Sequence, residues 1–401
     1  MPGDVEVSGR PRQARSVAND ARVLDAALRL ADEEGWRGLS VARVADTAGV
    51  SRTVVLTRFK DRAAIGSGLW SQGLESRLRA ALASLMAVCS QEEGELTSEA
   101  LWEALEPFVR PDRQMRAAAE LLLVGRYEPS LASAIEATLA HDIATWLKTG
   151  KGGRGQAAVR AFACSVALGL LIEARRQSLA HLDFDIEITK LAHVLAHPAQ
   201  PTALPKTRAR HLDRVDNFDT GDPDLNTLLR ATLEEVAGRG YEAATIDQIV
   251  SQTARTVGFA FSRYSNKREL FLDAQSKYSG RAALLNEELI RGVAEAHGIG
   301  VAEAVATREL MRPERRHVMN VILEMYRLSW HDREVLATLD AGFEEVFALY
   351  REQMPDRSPE QIEAALVMEL ARGHGPLILA GLSDTAWKLP YDVVTVPLTT
   401  A

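Results

Sequence analysis

Apolar residues recur at helical spacing along almost the whole chain. Val23, Leu24, Ala27, Leu28 and Ala31 fall on one helix face, and Leu228, Leu229, Thr232, Leu233 and Val236 repeat the arrangement. A β-branched run is missing until residues 393–400, and helix formers (Ala, Leu, Glu, Arg) dominate elsewhere. The pattern predicts an all-α protein, with amphipathic first helices over residues 16–34 and 224–239. Gly35 and Gly240 close these helices, where glycine can take the left-handed conformation.

Sliding the chain on itself gives a match at an offset of 205 residues. Gly35 falls on Gly240, Ser40 on Thr245, Val41 on Ile246, Val44 on Ile249 and Ala45 on Val250. The match continues through Ser51 on Thr256, Arg58 on Arg263, Phe59 on Tyr264, Arg62 on Lys267 and Ile65 on Leu270. Caps, glycines and aromatics are preserved together, so the segment is duplicated. In each copy Ser40 or Thr245 is placed to cap a short second helix, and Thr245 with Gln248 reads as a capping box. A turn follows, Ala48-Gly49-Val50 or Thr253-Ala254-Arg255. Ser51 and Thr256 are placed to cap a third helix, and Asp61 and Asn266 a fourth, with Glu269 as the acidic partner of Asn266. Two short helices joined by a tight turn and braced by a preceding helix make a helix-turn-helix unit, whose last helix is short because it only crosses a major groove.

The stretch Ser40-Val-Ala-Arg-Val-Ala-Asp-Thr-Ala-Gly-Val-Ser51, followed by Phe59 and a basic residue at 62, resembles the DNA-binding domain of TetR/AcrR regulators. The second copy resembles a diverged version. The resemblance implies an all-α chain of two tandem TetR-like units. Each would be a three-helix head plus a helical ligand-binding and dimerisation body, and the two would form a pseudo-dimer within one chain. It places Ser51, Arg52, Thr53, Val54, Thr57 and Arg58 of the first head, with Lys60 nearby, against DNA. In the second head it places Thr256, Val257, Gly258, Phe259, Ser262 and Arg263. Arg62 and Lys267 match the family's phosphate-contacting lysine, at a helix N-terminus that favours anions. Two departures stand out. The family's recognition-helix tyrosine is Leu56 in one copy and Phe261 in the other, and the Gly-Val-Ser turn of the first copy is Ala254-Arg255-Thr256 in the second.

Charge separates the heads. The net charge of −8 argues against a protein that coats nucleic acid without specificity, since such binding rests on phosphate neutralisation. Locally, residues 10–65 carry eleven basic and seven acidic side chains, whereas residues 206–270 carry ten of each. The first head is the better match to DNA. Arg10, Arg12 and Arg15 read as a flexible basic arm or as a solvated tail. Lys206, Arg208, Arg210 and Arg214 sit in a Pro-rich stretch that is also the natural tether.

Residues 67–197 and 272–390 are left for two helical bodies. The apolar segments 157–172 and 362–382, each with a small-residue face, suit either close helix packing between bodies or an ordinary core. Trp102, Phe108, Tyr127, Trp146 and Phe162 in the first body, and Tyr326, Trp330, Phe343, Phe347 and Tyr350 in the second, are candidates for ligand pockets or plain core. The divisions expected are an arm at 1–15, a head at 16–66, a body at 67–197, a linker at 198–223, a head at 224–271, a body at 272–390 and a tail at 391–401.

Catalytic chemistry is poorly represented. His193 and His197 have the i, i+4 spacing of a metal pair, and His181, Asp183 and Asp185 lie close in sequence, but a third ligand is not evident. Phosphate-binding glycine loops, cysteine clusters and nucleophile elbows are absent from the sequence, so neither enzyme activity nor a cofactor is expected. Cys89 and Cys164 lie within helical patterns, which fits a reducing, cytoplasmic setting. No apolar run is expected to reach the length of a membrane span, and the N-terminus shows no signal-peptide pattern. The expectation is a DNA-binding transcriptional regulator, a repressor, whose partners are a double-stranded operator and a small-molecule effector. It would act as a monomeric pseudo-dimer or as a dimer of tandem chains. The alternative is a ligand-binding or protein-interaction module in which the second head, or both, no longer binds DNA.

Overall fold

A computed structural model describes residues 9–91, 94–148, 153–207 and 218–394, with the backbone alone described over 9–17, 280–284, 342 and 345. Every regular element among them is helical. The first half runs α1 (Gly9–Glu33), α2 (Val41–Ala48), α3 (Arg52–Leu56), α4 (Arg62–Leu69), α5 (Glu75–Val88), α6 (Ser98–Val109), α7 (Arg113–Val124), α8 (Pro129–Ile135), α9 (His141–Trp146), α10 (Gly153–Arg176) and α11 (Asp185–Ala196). The second half runs α12 (Pro223–Arg239), α13 (Ile246–Ser251), α14 (Val257–Phe261), α15 (Lys267–His297), α16 (Ile299–Leu310), α17 (Arg316–Ser329), α18 (Arg333–Gln353) and α19 (Pro359–Leu382).

The sequence offset recurs in the helices. α3 and α14 start 205 residues apart, at Arg52 and Val257, as do α4 and α15, at Arg62 and Lys267. The long helices α10 and α19 start within one residue of the same spacing. Each head closes over its own apolar centre. Val23, Ala27 and Leu30 of α1 are buried, as are Val44, Val55 and Ile65. Leu228, Leu229, Leu233 and Val236 of α12 are buried with Ile249, Ala260 and Leu270. Each buried Val, Leu or Ile among these contributes about 1.5–3 kcal/mol.

α10 and α19 cross at small residues, and this crossing joins the halves. A Cβ on Gly169 would collide with the carbonyl of Ala371, and one on Gly375 with the carbonyl of Ser165. Glycine is required at both positions because the two backbones touch there. Moving either contact by 205 residues gives the other to within one position, which is the reciprocity of a two-fold interface. α10 is apolar enough over 18 residues to pass for a membrane span, contrary to the sequence expectation, but 89% of that window is buried inside the protein. It is placed as a core helix of a soluble protein is.

Three boundaries differ from the sequence expectation. α1 begins at Gly9, so Arg10, Arg12 and Arg15 belong to a helix rather than to an extended arm; Pro11 falls in the first turn, where its missing N–H costs nothing. The tail expected from residue 391 begins as a buried turn, Tyr391–Val394, whose Tyr391 hydroxyl donates to the Ala386 carbonyl at 3.0 Å. The first part of the tether is fixed to that turn. Ala199 N–H donates to the Val393 carbonyl at 3.0 Å, and the Thr202 hydroxyl to Asp392 at 2.6 Å. Of the basic residues in the tether, Arg208, Arg210 and Arg214 lie outside the described residues.

Candidate nucleic-acid interface

The first head is assembled by the capping residues that its sequence supplies. Ser40 Oγ accepts from the Arg43 N–H at 3.3 Å and starts α2, Ser51 Oγ accepts from Val54 at 3.4 Å and starts α3, and Asp61 accepts from Ala64 at 2.8 Å and starts α4. Between α2 and α3, Gly49 sits at φ 62°, a left-handed conformation that costs a side-chain-bearing residue about 1–2 kcal/mol. Arg22 of α1 reaches over and donates to the carbonyls of Ala48 at 2.6 Å and Gly49 at 3.0 Å. The angle between α2 and α3 is thereby fixed from both ends.

The second head is held differently. Thr245 and Gln248 form the expected capping box, and Asn266 caps α15 through the Glu269 N–H at 3.0 Å. Glu269 departs from the expected box by accepting from Ser265 N–H at 2.8 Å. Thr256 makes no side-chain cap, so α14 lacks the brace expected of it. The turn has no left-handed glycine. α13 ends at Ser251, with Gln252 at φ −85° and bonded through its side-chain amide to Glu235.

On the outer face of the first head Arg52, Thr53, Thr57, Arg58 and Lys60 are exposed, and Val54 is half-buried. Arg52 has no hydrogen-bond or ion partner among the described residues, so its guanidinium is available to a ligand. Arg58 lies 3.2 Å from Asp20, a loose exposed pair of little energetic weight. Arg62 lies over the Trp36 ring at 5.9 Å. Leu56 stands 51% exposed on the same short helix, an apolar group that water does not favour but a thymine methyl would.

The corresponding cations of the second head are engaged. Arg263 pairs with Asp222 at 3.0 Å and stacks on Phe259 at 3.8 Å, and Arg255 pairs with Asp224. Lys267 turns inward: its Nζ donates to the carbonyls of Tyr241 at 2.6 Å and Ala244 at 2.7 Å, and lies 4.3 Å from the Tyr241 ring. Burial pushes its pKa below the ordinary lysine value despite Glu242 and Glu324 nearby. Thr256, Gly258 and Ser262 are exposed, Val257 and Phe259 are half-buried, and Phe261 is 53% exposed where Leu56 stands in the first head.

Both heads are latched to the bodies by one device, which sequence reasoning missed. Behind Gly35 (φ 68°), the Trp36 N–H donates to Glu120 of α7 at 2.7 Å; behind Gly240 (φ 77°), the Tyr241 N–H donates to Glu324 of α17 at 2.6 Å. The space over each glycine is taken by the opposite half, His331 above Gly35 and Tyr127 above Gly240. Arg327 joins the latches, donating to Glu120 at 2.7 Å and to Glu324 at 2.8 and 2.9 Å. The only available sequence signal was three charged residues on otherwise apolar helix faces, which also describes a solvated surface.

The aromatics proposed for ligand pockets mostly serve packing. Phe108, Phe162 and Tyr326 are buried in the core, and Trp102 lies against Phe184 with ring centroids 6.1 Å apart. Trp146 is half-buried, and its carbonyl accepts from Arg160. Trp330, Phe343 and Phe347 carry the guanidinium groups of Arg175, Arg176 and Arg351 at 5.0, 4.7 and 4.3 Å. Tyr127 donates to Glu324 at 2.9 Å. A cavity of about 390 Å³ opens instead between α7, α8, α17 and α19, lined by Leu122, Arg126, Ile135, Arg316, Asn320 and Ile378 among others. None of the nominated aromatics lines it. His193 and His197 stack on each other at 4.8 Å, and His181 lies 3.7 Å from Glu363. Cys89 and Cys164 are buried free thiols, both pushed up to about 12 by burial.

Residues 23–65, the first head from the middle of α1 into α4, match the family model for bacterial regulatory proteins of the tetR family. No curated protein matches the chain. The matched segment is the helix-turn-helix just described, so the chain carries the DNA-binding domain of a transcriptional regulator.

Proposed function

We propose that the protein is a transcriptional repressor built from two fused TetR-like units. Its two non-identical heads would read the unequal half-sites of one operator, and a small-molecule effector would control it. The observation that carries this reading is the recurrence, at one fixed offset, of α3 and α14, each presenting exposed residues at its head's outer face. The reciprocal crossing of α10 and α19 supports it further, since it supplies within one chain the bundle that otherwise forms between two. A helix-turn-helix pair of this kind reads half-sites about 34–36 Å apart, one turn of the duplex. Footprinting on DNA that the chain selects tests it: two different half-sites protected by one chain are expected, and a perfect palindrome bound by a single chain contradicts it.

A second reading, in which the first head alone reads DNA, is favoured by one observation. Lys267 is spent on backbone carbonyls and Arg263 on Asp222 and Phe259, whereas Arg52 has no partner among the described residues. Paired substitutions separate the two readings. Under the two-head reading, Arg52→Ala with Arg58→Ala, and Arg263→Ala with Lys267→Ala, each weaken operator binding. Under the one-head reading only the first pair does.

A further inference from the structure

The cavity between the halves has a chemistry that no helix-packing role requires. Arg126, in the turn after α7, is half-buried with its guanidinium at the cavity, donating to Asn320 Oδ1 at 2.6 Å and to the Leu377 carbonyl at 3.3 Å. Among the described residues no carboxylate pairs with it. A second arginine, Arg316 of α17, lines the same cavity. Its Nη2 reaches Asp384 at 2.6 Å, but Asp384 is 85% exposed, and its own Nε is buried without a partner. Burial and the neighbouring Arg316 together push Arg126 down to about 10. Two guanidinium groups thus line one cavity, Arg126 with no carboxylate partner among the described residues and Arg316 paired only with the exposed Asp384. Glu136 and Asp384 stand on its lining, Glu136 exposed to water. Leu122, Ile135, Ile378 and Leu382 supply its aliphatic wall, and Asn320 and Ser383 are its uncharged polar residues.

We infer that this cavity binds a small molecule with an apolar body and one carboxylate, the carboxylate taken by Arg126 and Arg316 and the body lying on Leu122, Ile135 and Ile378. The volume lies within the range of about 300–1,000 Å³ typical of ligand sites, and a guanidinium pair is matched to carboxylate geometry. The site is wired to the second head. Asn320, which Arg126 holds, donates through Nδ2 to the Ala237 carbonyl in the last turn of α12 at 3.1 Å. A carboxylate competing for Arg126 loosens its bond to Asn320 and so acts on the helix that supports α13 and α14. That consequence rests on the regulator reading; the binding site does not.

Titration calorimetry of the full chain without DNA, using matched straight-chain carboxylates, alcohols and amines of about six to ten carbons, tests the site at the polarity it predicts. One carboxylate per chain should bind at least roughly tenfold tighter than its alcohol or amine. Arg126→Gln and Arg316→Gln should each remove most of that preference, while Arg110→Gln, which alters an arginine stacked on Trp102 away from the cavity, should not. Carboxylates binding no better than alcohols, binding not at all, or binding both Gln variants like the parent would overturn the proposal. Arg316 is partly exposed, so Arg316→Gln remains informative should Arg126→Gln misfold. Because no DNA is present, failure here leaves the DNA-reading account untouched, and a chain that ignores DNA could still pass.

Discussion

Arg327 of α17 donates to Glu120 of α7 at 2.7 Å, across a sequence separation of 207 residues, and both side chains are buried. Glu120 holds the backbone behind Gly35, and Arg327 also grips Glu324, which holds the backbone behind Gly240. One guanidinium therefore joins the seating of both heads. A buried pair of this kind adds little over an apolar alternative, but breaking it is costly because charge is left unpaired. Arg327→Met is expected to destabilise the protein by about 3–5 kcal/mol, read as a lower midpoint in urea. Amide exchange should rise at Trp36 and Tyr241 together. Exchange rising at one head alone would show that the latches are independent.

Acid sensitivity follows from the same carboxylate. Burial pushes Glu120 up, but Arg327, His331 and the Trp36 N–H outweigh burial and hold it at about 2, against an ordinary 4.5. A carboxyl lowered in the folded state contributes fully above its unfolded value, and that contribution is lost as pH falls through the folded value. Stability should therefore decline from about pH 4.5 toward 2, and Glu120→Gln should flatten that part of the profile. Thermal melts at a series of pH values check both statements.

The helix crossing predicts a steric limit. At Gly169 and Gly375 a single methyl meets a facing carbonyl, and backbone cannot move aside as a flexible side chain can. Gly169→Ala and Gly375→Ala should each cost about 1–3 kcal/mol or more, whereas Gly373→Ala, whose Cβ would meet nothing within 4 Å, should be neutral or slightly stabilising. Chemical denaturation of the three variants decides it.

Neither turn should gain stability by taking the other's residue. Gly49→Ala forces a side chain into a left-handed conformation at φ 62° and should cost about 1 kcal/mol or more. Ala254→Gly replaces alanine at the matching place in a turn that Gln252 enters at φ −85°, so the glycine brings added chain entropy and should not stabilise. Melting temperatures of both variants provide the comparison.

Much of the heads was legible in the sequence because their determinants are local. Ser40, Ser51, Asp61, Thr245 and Asn266 cap the helices at the residues where the pattern placed them, and a cap needs only neighbours three positions away. Thr256 shows the limit of that reasoning: the residue type is right, yet the hydroxyl makes no cap. The latch of Glu120, Glu324 and Arg327 and the cavity arginine Arg126 were not legible. Each depends on a partner from the other half, and a charged residue on a helix reads as solvated until the opposing helix is known. For the same reason Lys267, matched to a phosphate contact by position, is found instead on the carbonyls of Tyr241 and Ala244.

The most direct measurement of the central claim is selection of bound sites from random DNA by the full chain, followed by salt titration of the selected duplex. A site with two different half-sites about one helical turn apart, bound by one chain, is the expected result. The salt slope should fall by about one unit in Arg52→Ala. No enrichment of any sequence, or a perfect palindrome occupied by a single chain, would contradict the claim.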